Sequence, residues 1–433
     1  MDKLALLSQR IFDAVNKKSN TWDKIAAVLL ALCPLLQHYK GLVDNAATTV
    51  LMIVAFYLLF RVLPQLKTLT FKATRPVLIL IIFFVFKLIA HGTNISELGQ
   101  VVLFIFLLLA YVLDCIDVKF LIKAATLIAA LAGAIIILQY FCFYIFSFHI
   151  QCVPTGLLLP SAKAWIWGAK TGLGGITGKV GTLYRPSAFF LEPSHLYLYC
   201  FPFLMLTLFW GNKDNRSLVI PGLIAAGMIL CTSGMGIAAA VFAIGLFCVT
   251  VDWRERTFHI ANIKKKHNLM LLGGVFVVFL LAVLFVPFIQ RSVLRIFYNP
   301  NSTPAVSGRT KRALELIQSM PLSGWFVGCT DLIQAKFNVP GVLAMLYKYG
   351  LPGVILSSWV YLRGLFTQRL PFFLVTATIV ITAFFSAHTH GTFYMLFYVL
   401  ILLYGESKTR KPLLREPLQA AGRLLKKYTH KSN

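Results

Sequence analysis

Long runs of apolar residues, separated by shorter polar segments, recur along almost the whole chain. In lipid, a helix satisfies its backbone hydrogen bonds within one segment, so each run is expected to form a helix. Spanning the bilayer core takes about 20 such residues. The pattern therefore predicts about twelve spanning helices, near residues 25–37, 46–63, 76–90, 98–113, 124–147, 188–210, 218–232, 235–251, 269–289, 341–362, 371–387 and 391–404.

Composition supports a membrane protein over a soluble one. Of the 433 residues, 58% are hydrophobic and only 13% are charged, whereas soluble proteins average about 25% charged residues. The sequence therefore predicts an all-α fold, a polytopic transmembrane helix bundle with two long extracytoplasmic loops that contain short amphipathic helices.

The position of the positive charge predicts the orientation. Net charge is +26, and roughly two thirds of the 41 lysines and arginines fall in alternate connecting segments, as expected for cytoplasmic loops. Both termini are thus predicted to be cytoplasmic, and the basic segments are expected to contact anionic lipids rather than nucleic acid. The predicted organisation is a cytoplasmic amphipathic segment at 1–24, a transmembrane bundle at 25–404 and a basic cytoplasmic tail at 405–433.

Two predicted outer loops, at about 148–187 and 290–340, are far longer than ordinary connections. Both are basic, against the charge rule for outward-facing loops. An anionic ligand on this side is the simplest explanation, since arginine forks and backbone amides hold phosphate. The loops also contain Cys152 and Cys329, whose pairing stays open, and the cysteines show no zinc spacing.

The second loop contains "SGRTKRALELIQSMPLSGWFVG", which predicts a short amphipathic helix. Arg309 and Arg312 recur with Glu315 on one face of that helix. They form either a solvated charged face or a binding site for an anion at the outer end of the helix bundle.

Before the sixth apolar run lies "RPSAFFLEPSHLYLY". Pro193 fits the first helical turn, which places Glu192 at the cap position and His195 one turn in. Glu192 can act as a structural cap, and Arg185 can pair with it. Alternatively, arginine, carboxylate and imidazole together handle a phosphate and a hydroxyl.

These segments, with "CTSGMGIAAAVFAIGLF" and "NVPGVLAMLYKYGLPGVI" in the same order, resemble the O-antigen polymerase and ligase superfamily over roughly residues 180–404. The resemblance implies a bacterial protein of the cytoplasmic (inner) membrane that works in surface-polysaccharide assembly. Such a protein transfers a glycan from an undecaprenyl-diphosphate carrier, on the outer face, to a sugar hydroxyl. No cofactor and no metal are implied.

The resemblance also assigns roles. Arg185 and Arg309, with Arg312 beside it, are expected to contact the diphosphate, and Glu192 or His195 is expected to take the acceptor proton. Ligase members usually carry His-Asn where this chain has Val339 and Pro340, which favours a polymerase. Accessory candidates complete the set: Lys348, His388 and His390.

The predicted activity is metal-independent glycosyl transfer that joins polyprenyl-diphosphate-linked oligosaccharide repeat units. The implied partners are this substrate, membrane lipids, and polysaccharide export and chain-length proteins. One alternative is a ligase that moves the glycan to another acceptor. The alternative from another class is a flippase or transporter of lipid-linked oligosaccharide, although charge gathered in outer loops argues against a midplane transport site.

Overall fold

The structure is a computed structural model that describes residues 20–42, 45–68, 71–91, 95–160, 184–210, 218–252, 257–258, 266–285, 290, 311, 314–329, 341–368, 372–386 and 392–408. Several predicted features lie outside the described residues. They are residues 1–19, most of the cytoplasmic tail, and the side chains of Arg309, Arg312, His388 and His390.

The described chain is mostly helical, which confirms the all-α class. Its α-helices are α1 Thr21–Leu36, α2 Ala46–Val62, α3 Phe71–His91, α4 Ile95–Val112, α5 Val118–Phe146, α6 Pro193–Phe209, α7 Val219–Leu230, α8 Gly234–Thr250, α9 Lys266–Phe285, α10 Leu322–Val327, α11 Gly341–Thr367, α12 Phe372–Phe385 and α13 Thr392–Lys408. Two 3-10 helices, Leu63–Thr68 and Thr155–Leu157, and a two-residue ribbon that pairs β1 (Val251–Asp252) with antiparallel β2 (Thr257–Phe258) complete it.

Each predicted apolar segment coincides with one helix, and α10 is an additional short helix in the second long loop. Two helical stretches, Ala46–Leu66 and Val118–Phe146, are long and apolar enough to cross a membrane, with mean hydropathies of 2.1 and 2.4. Seven other apolar stretches of the described helices are shorter, at 10–17 residues. Among the described residues, the combined requirement of length and hydropathy is thus met by two of the twelve predicted spans.

Helix α6 is the most enclosed element of the described fold, with almost every residue buried. Two tyrosines of α13 donate hydrogen bonds to its backbone: Tyr394 to the His195 carbonyl (3.3 Å) and Tyr398 to the Leu198 carbonyl (2.6 Å). Tyr199 of α6 donates to the Ala31 carbonyl of α1 (2.9 Å). Each of these three hydroxyls therefore has a partner, and the bonds fix the depth and rotation of α6.

Helices α5 and α7 cross at two glycines. A Cβ atom added to Gly227 would lie 2.5 Å from the Gly133 Cα, and one added to Gly133 would lie 2.2 Å from the Leu223 carbonyl oxygen. Small residues allow this close backbone approach, which is a common way for apolar helices to associate in a membrane.

A buried ion pair joins α1 to α2. Asp23 is 5% exposed, and its carboxylate accepts from both Arg61 Nη1 (2.9 and 3.0 Å) and the Tyr57 hydroxyl (2.8 Å). It also accepts from the backbone N–H of Asn20 (2.9 Å). The charge is therefore both paired and hydrogen-bonded, as a buried carboxylate requires.

Helix α11 is broken at Gly350, whose φ of 67° lies in the left-handed region that favours glycine. A Cβ atom there would also lie 2.6 Å from the Trp325 carbonyl of α10. The second long loop thus packs against the break. In that loop, residues 314–318 are helical, with Ile317 and Met320 buried, which matches the described part of the predicted amphipathic helix.

Candidate functional site

The start of α6 matches the prediction from sequence. The helix begins at Pro193, and Glu192 is the N-cap residue with extended backbone (φ −142°, ψ 154°). Its carboxylate makes no capping hydrogen bond and instead accepts from the Ser194 hydroxyl at 2.8 Å. This geometry argues against the purely structural role as a cap. One turn in, His195 is only 4% exposed.

Arg185 lies ahead of this helix with a partly exposed side chain, but its Nε atom is buried and has no hydrogen-bond partner among the described residues. Burial lowers the pKa of the guanidinium, and the nearby Cys231 and Glu192 act in the opposite direction. In the described part of the chain Arg185 forms no ion pair with Glu192. A buried donor without an acceptor is uncommon in native proteins, and a ligand oxygen is one group that would satisfy it.

Tyr184, next to Arg185, is fully buried, and its hydroxyl also has no hydrogen-bond partner among the described residues. Its ring stacks on Phe143 of α5, with ring centroids 4.0 Å apart and planes 3° from parallel. Burial raises the pKa of the Tyr184 phenol, which therefore stays a neutral donor. Within the described part of the chain, Tyr184 and Arg185 thus each carry one buried donor atom without a partner.

Below them lies the turn between α7 and α8. The Thr232 hydroxyl donates to the Tyr184 carbonyl at 3.3 Å, and both Cys231 and Thr232 are buried. This turn is the start of the motif "CTSGMG". The structure thus brings two motifs of the sequence, distant along the chain, into contact.

A tight turn connects Arg185 to α6. Ser187 bonds the Phe190 carbonyl through its hydroxyl (2.8 Å), and Ala188 takes a left-handed backbone conformation with φ 50°. That conformation costs a residue with a Cβ about 1–2 kcal/mol. It is held by Gln139 of α5, whose amide oxygen accepts from the Ala188 N–H at 3.0 Å.

Gln139 is buried and also donates to the Ile150 carbonyl at 2.9 Å. One side chain thus forms hydrogen bonds both to the start of the first long loop and to the turn that carries Arg185. Its amide also lies 3.6 Å from the Cys152 sulfur. Neither Cys152 nor Cys329 is in a disulfide in the structure, so the pairing left open by the sequence is not formed.

We expect Gln139→Leu to lower activity about tenfold or more while the protein still folds. The change leaves the buried Ala188 N–H and Ile150 carbonyl unsatisfied, at about 1–3 kcal/mol each at most, and frees the turn that positions Arg185. The measurement is activity per unit of folded protein in membranes. Gln151→Leu is the control, because Gln151 is exposed and bonds only the Val153 carbonyl nearby; equal losses in both variants would refute a specific role for Gln139.

His38 joins the site although the sequence did not predict it. It lies in the loop between α1 and α2, and its ring stacks on that of His195, with centroids 4.9 Å apart and planes 7° from parallel. Tyr39, beside it, donates to the Phe189 carbonyl at 3.4 Å. The available signal was a titratable residue at the predicted outer end of a span, on the same side as both long loops.

The other predicted residues do not join this cluster in the described structure. Lys348 is exposed on α11, just before the break at Gly350, with its Nζ 5.3 Å from the centroid of the adjacent Tyr349 ring. Its backbone carbonyl lies against Gly328 of the second long loop. Arg309, Arg312, His388 and His390 lie outside the described residues.

Among the described residues, no group of three or more His, Cys, Asp and Glu side chains could hold a metal ion. The cluster of Arg185, Glu192, His195 and His38 instead combines a cation for an anionic group with a carboxylate and imidazoles for proton transfer.

No protein-family model matches the chain, and no curated protein is similar to it. The resemblance to the O-antigen polymerase and ligase superfamily, drawn from the motifs, therefore stays a prediction.

Proposed function

We propose that the chain is an integral membrane glycosyltransferase that polymerises oligosaccharide repeat units carried on a polyprenyl diphosphate. The observation that carries this proposal is that Glu192 and His195 lie at the start of α6, with Arg185 close enough to Glu192 to feel its charge. The buried Nε of Arg185 has no hydrogen-bond partner among the described residues. Twelve membrane spans, cytoplasmic termini and location in a bacterial cytoplasmic membrane belong to the same proposal. The correspondence between helices and apolar segments supports the number of spans.

In the proposed reaction, an acceptor sugar hydroxyl attacks the anomeric carbon of the donor. The bond from that carbon to the diphosphate breaks, and the lipid diphosphate leaves with the electron pair. The acceptor proton passes to Glu192 or His195 at the mouth of α6. Such a base contributes about a hundredfold to ten-thousandfold in rate.

The leaving diphosphate gains negative charge as its bond breaks. We assign the stabilisation of that charge to Arg185, together with Arg309 and Arg312 of the second long loop. Guanidinium forks match phosphate oxygens, and a buried guanidinium acts more strongly because little water screens it.

The site's place at helix ends favours surface chemistry over transport. A transporter binds near the bilayer midplane, whereas Glu192 is the N-cap of α6 and His195 lies in its first turn. A polymerase or ligase needs access to water for a large glycan, which the end of the bundle provides.

The length profile of surface polysaccharide, in a strain without this protein and in the complemented strain, tests the function. Accumulation of single lipid-linked repeat units on the outer face, reversed by complementation, supports polymerisation. Full-length polymer left on the lipid carrier means a ligase. Repeat units trapped on the cytoplasmic face mean a transporter, and either result overturns the proposal.

A further inference from the structure

Two histidines from distant parts of the chain form one stacked pair. His38 and His195 lie with ring planes 7° apart and centroids separated by 4.9 Å. His195 is almost fully buried at the start of α6, whereas His38 is partly exposed in the loop after α1. The pair therefore joins a histidine that is almost fully buried to one that is partly exposed.

The loop that carries His38 is firmly held in this position. The His38 carbonyl accepts from the Leu159 N–H (2.9 Å), and the Lys40 N–H donates to the Leu157 carbonyl (2.7 Å). The Ala46 N–H donates to the Tyr39 carbonyl (2.8 Å) and closes the loop. Backbone hydrogen bonds to the first long loop thus hold the loop that carries His38, and they set the position of its ring against His195.

Parallel imidazoles at this separation oppose double protonation, because two like charges within about 4–6 Å disfavour each other. A single proton is accepted on either ring, and the second proton binds only at lower pH. Interacting groups of this kind titrate as one unit in two steps.

We propose that His38 is a positioning residue that holds His195 neutral, and thus able to accept the acceptor proton, to lower pH than a single histidine would allow. The inference rests on the proposed glycosyl transfer and selects His195 over Glu192 as the base.

Other titratable groups near the histidine pair also affect how readily it binds a proton. Arg185 and Glu192 lie on the segment before α6, Tyr39 follows His38, and Tyr394 of α13 donates to the His195 carbonyl. Arg185 disfavours a positive charge on the pair, and Glu192 favours one. Neither is altered by a change at His38, so its effect can be isolated.

The test compares His38→Phe and His38→Gln with wild type in purified, lipid-reconstituted protein, by the pH dependence of polymerisation. In both variants His195 loses the neighbour that shares its proton. It therefore becomes protonated at higher pH, and the acid limb of activity moves upward by about one pH unit at most. Phenylalanine keeps a flat ring for packing, whereas glutamine keeps polarity. His149→Phe is the matched control, because His149 contacts Tyr184 rather than His195.

A second readout does not need activity. Carbon-13 labelling of the histidine ring, with His195 assigned through His195→Gln, follows its titration directly. A two-step His195 titration in wild type that becomes a single step in both His38 variants supports the pairing.

An unchanged acid limb together with an unchanged His195 titration overturns the inference, even when the variants lose activity through packing. A coupled titration in a wild-type protein that does not polymerise overturns the proposed function instead.

Discussion

Replacing Arg185 with glutamine is expected to lower polymerisation by about a hundredfold or more, which is the loss seen when one well-placed donor to developing negative charge is removed. Glutamine keeps a polar side chain in the turn but removes the charge. Since the Arg185 Nε has no partner to lose among the described residues, folding should be little affected. The measurement is repeat-unit polymerisation at equal amounts of membrane protein.

Two further variants make the Arg185 result specific. Arg185→Lys keeps the charge but not the planar fork, so an intermediate activity is expected. Lys348→Gln is the matched control: it removes one positive charge from an exposed side chain that lies outside the cluster, and activity should persist. If Arg185→Gln polymerises at the wild-type rate, the diphosphate contact assigned to Arg185 is wrong.

The helices were predictable because their residues are apolar on most faces. Such a run has few alternatives to a helix once water is excluded. The boundary of α6 was equally clear, since proline at the first turn sets its start. In these cases the information is local, and neighbouring residues settle the outcome.

The site was predicted only in part, because its remaining members are placed by tertiary contacts. His38 is placed beside His195 by hydrogen bonds between its loop and the backbone of Leu157 and Leu159. The hydrophobic periodicity of the sequence does not predict these bonds. Gln139 carried a signal that could have been used: a polar side chain inside an apolar run needs a partner and often serves a function. The kink of α11 left Lys348 exposed rather than at the site.

Adding one methyl group at Gly227 is expected to destabilise the fold by about 2–3 kcal/mol, the range for overpacking a close contact. The new Cβ would lie 2.5 Å from the Gly133 Cα, well inside the normal separation of about 3.5–4.0 Å. Its obstacle is backbone, which cannot rotate away, so α5 and α7 must separate. We expect less Gly227→Ala protein in membranes and a lower midpoint of thermal aggregation in detergent.

Gly222→Ala is the matched control on the same helix. A Cβ atom at Gly222 would have nothing within 4 Å, so the change adds only helix propensity, up to about 1 kcal/mol in favour of the fold. The same substitution should therefore have opposite signs five residues apart on α7. Equal effects at both positions would show that α5 and α7 do not cross at these glycines.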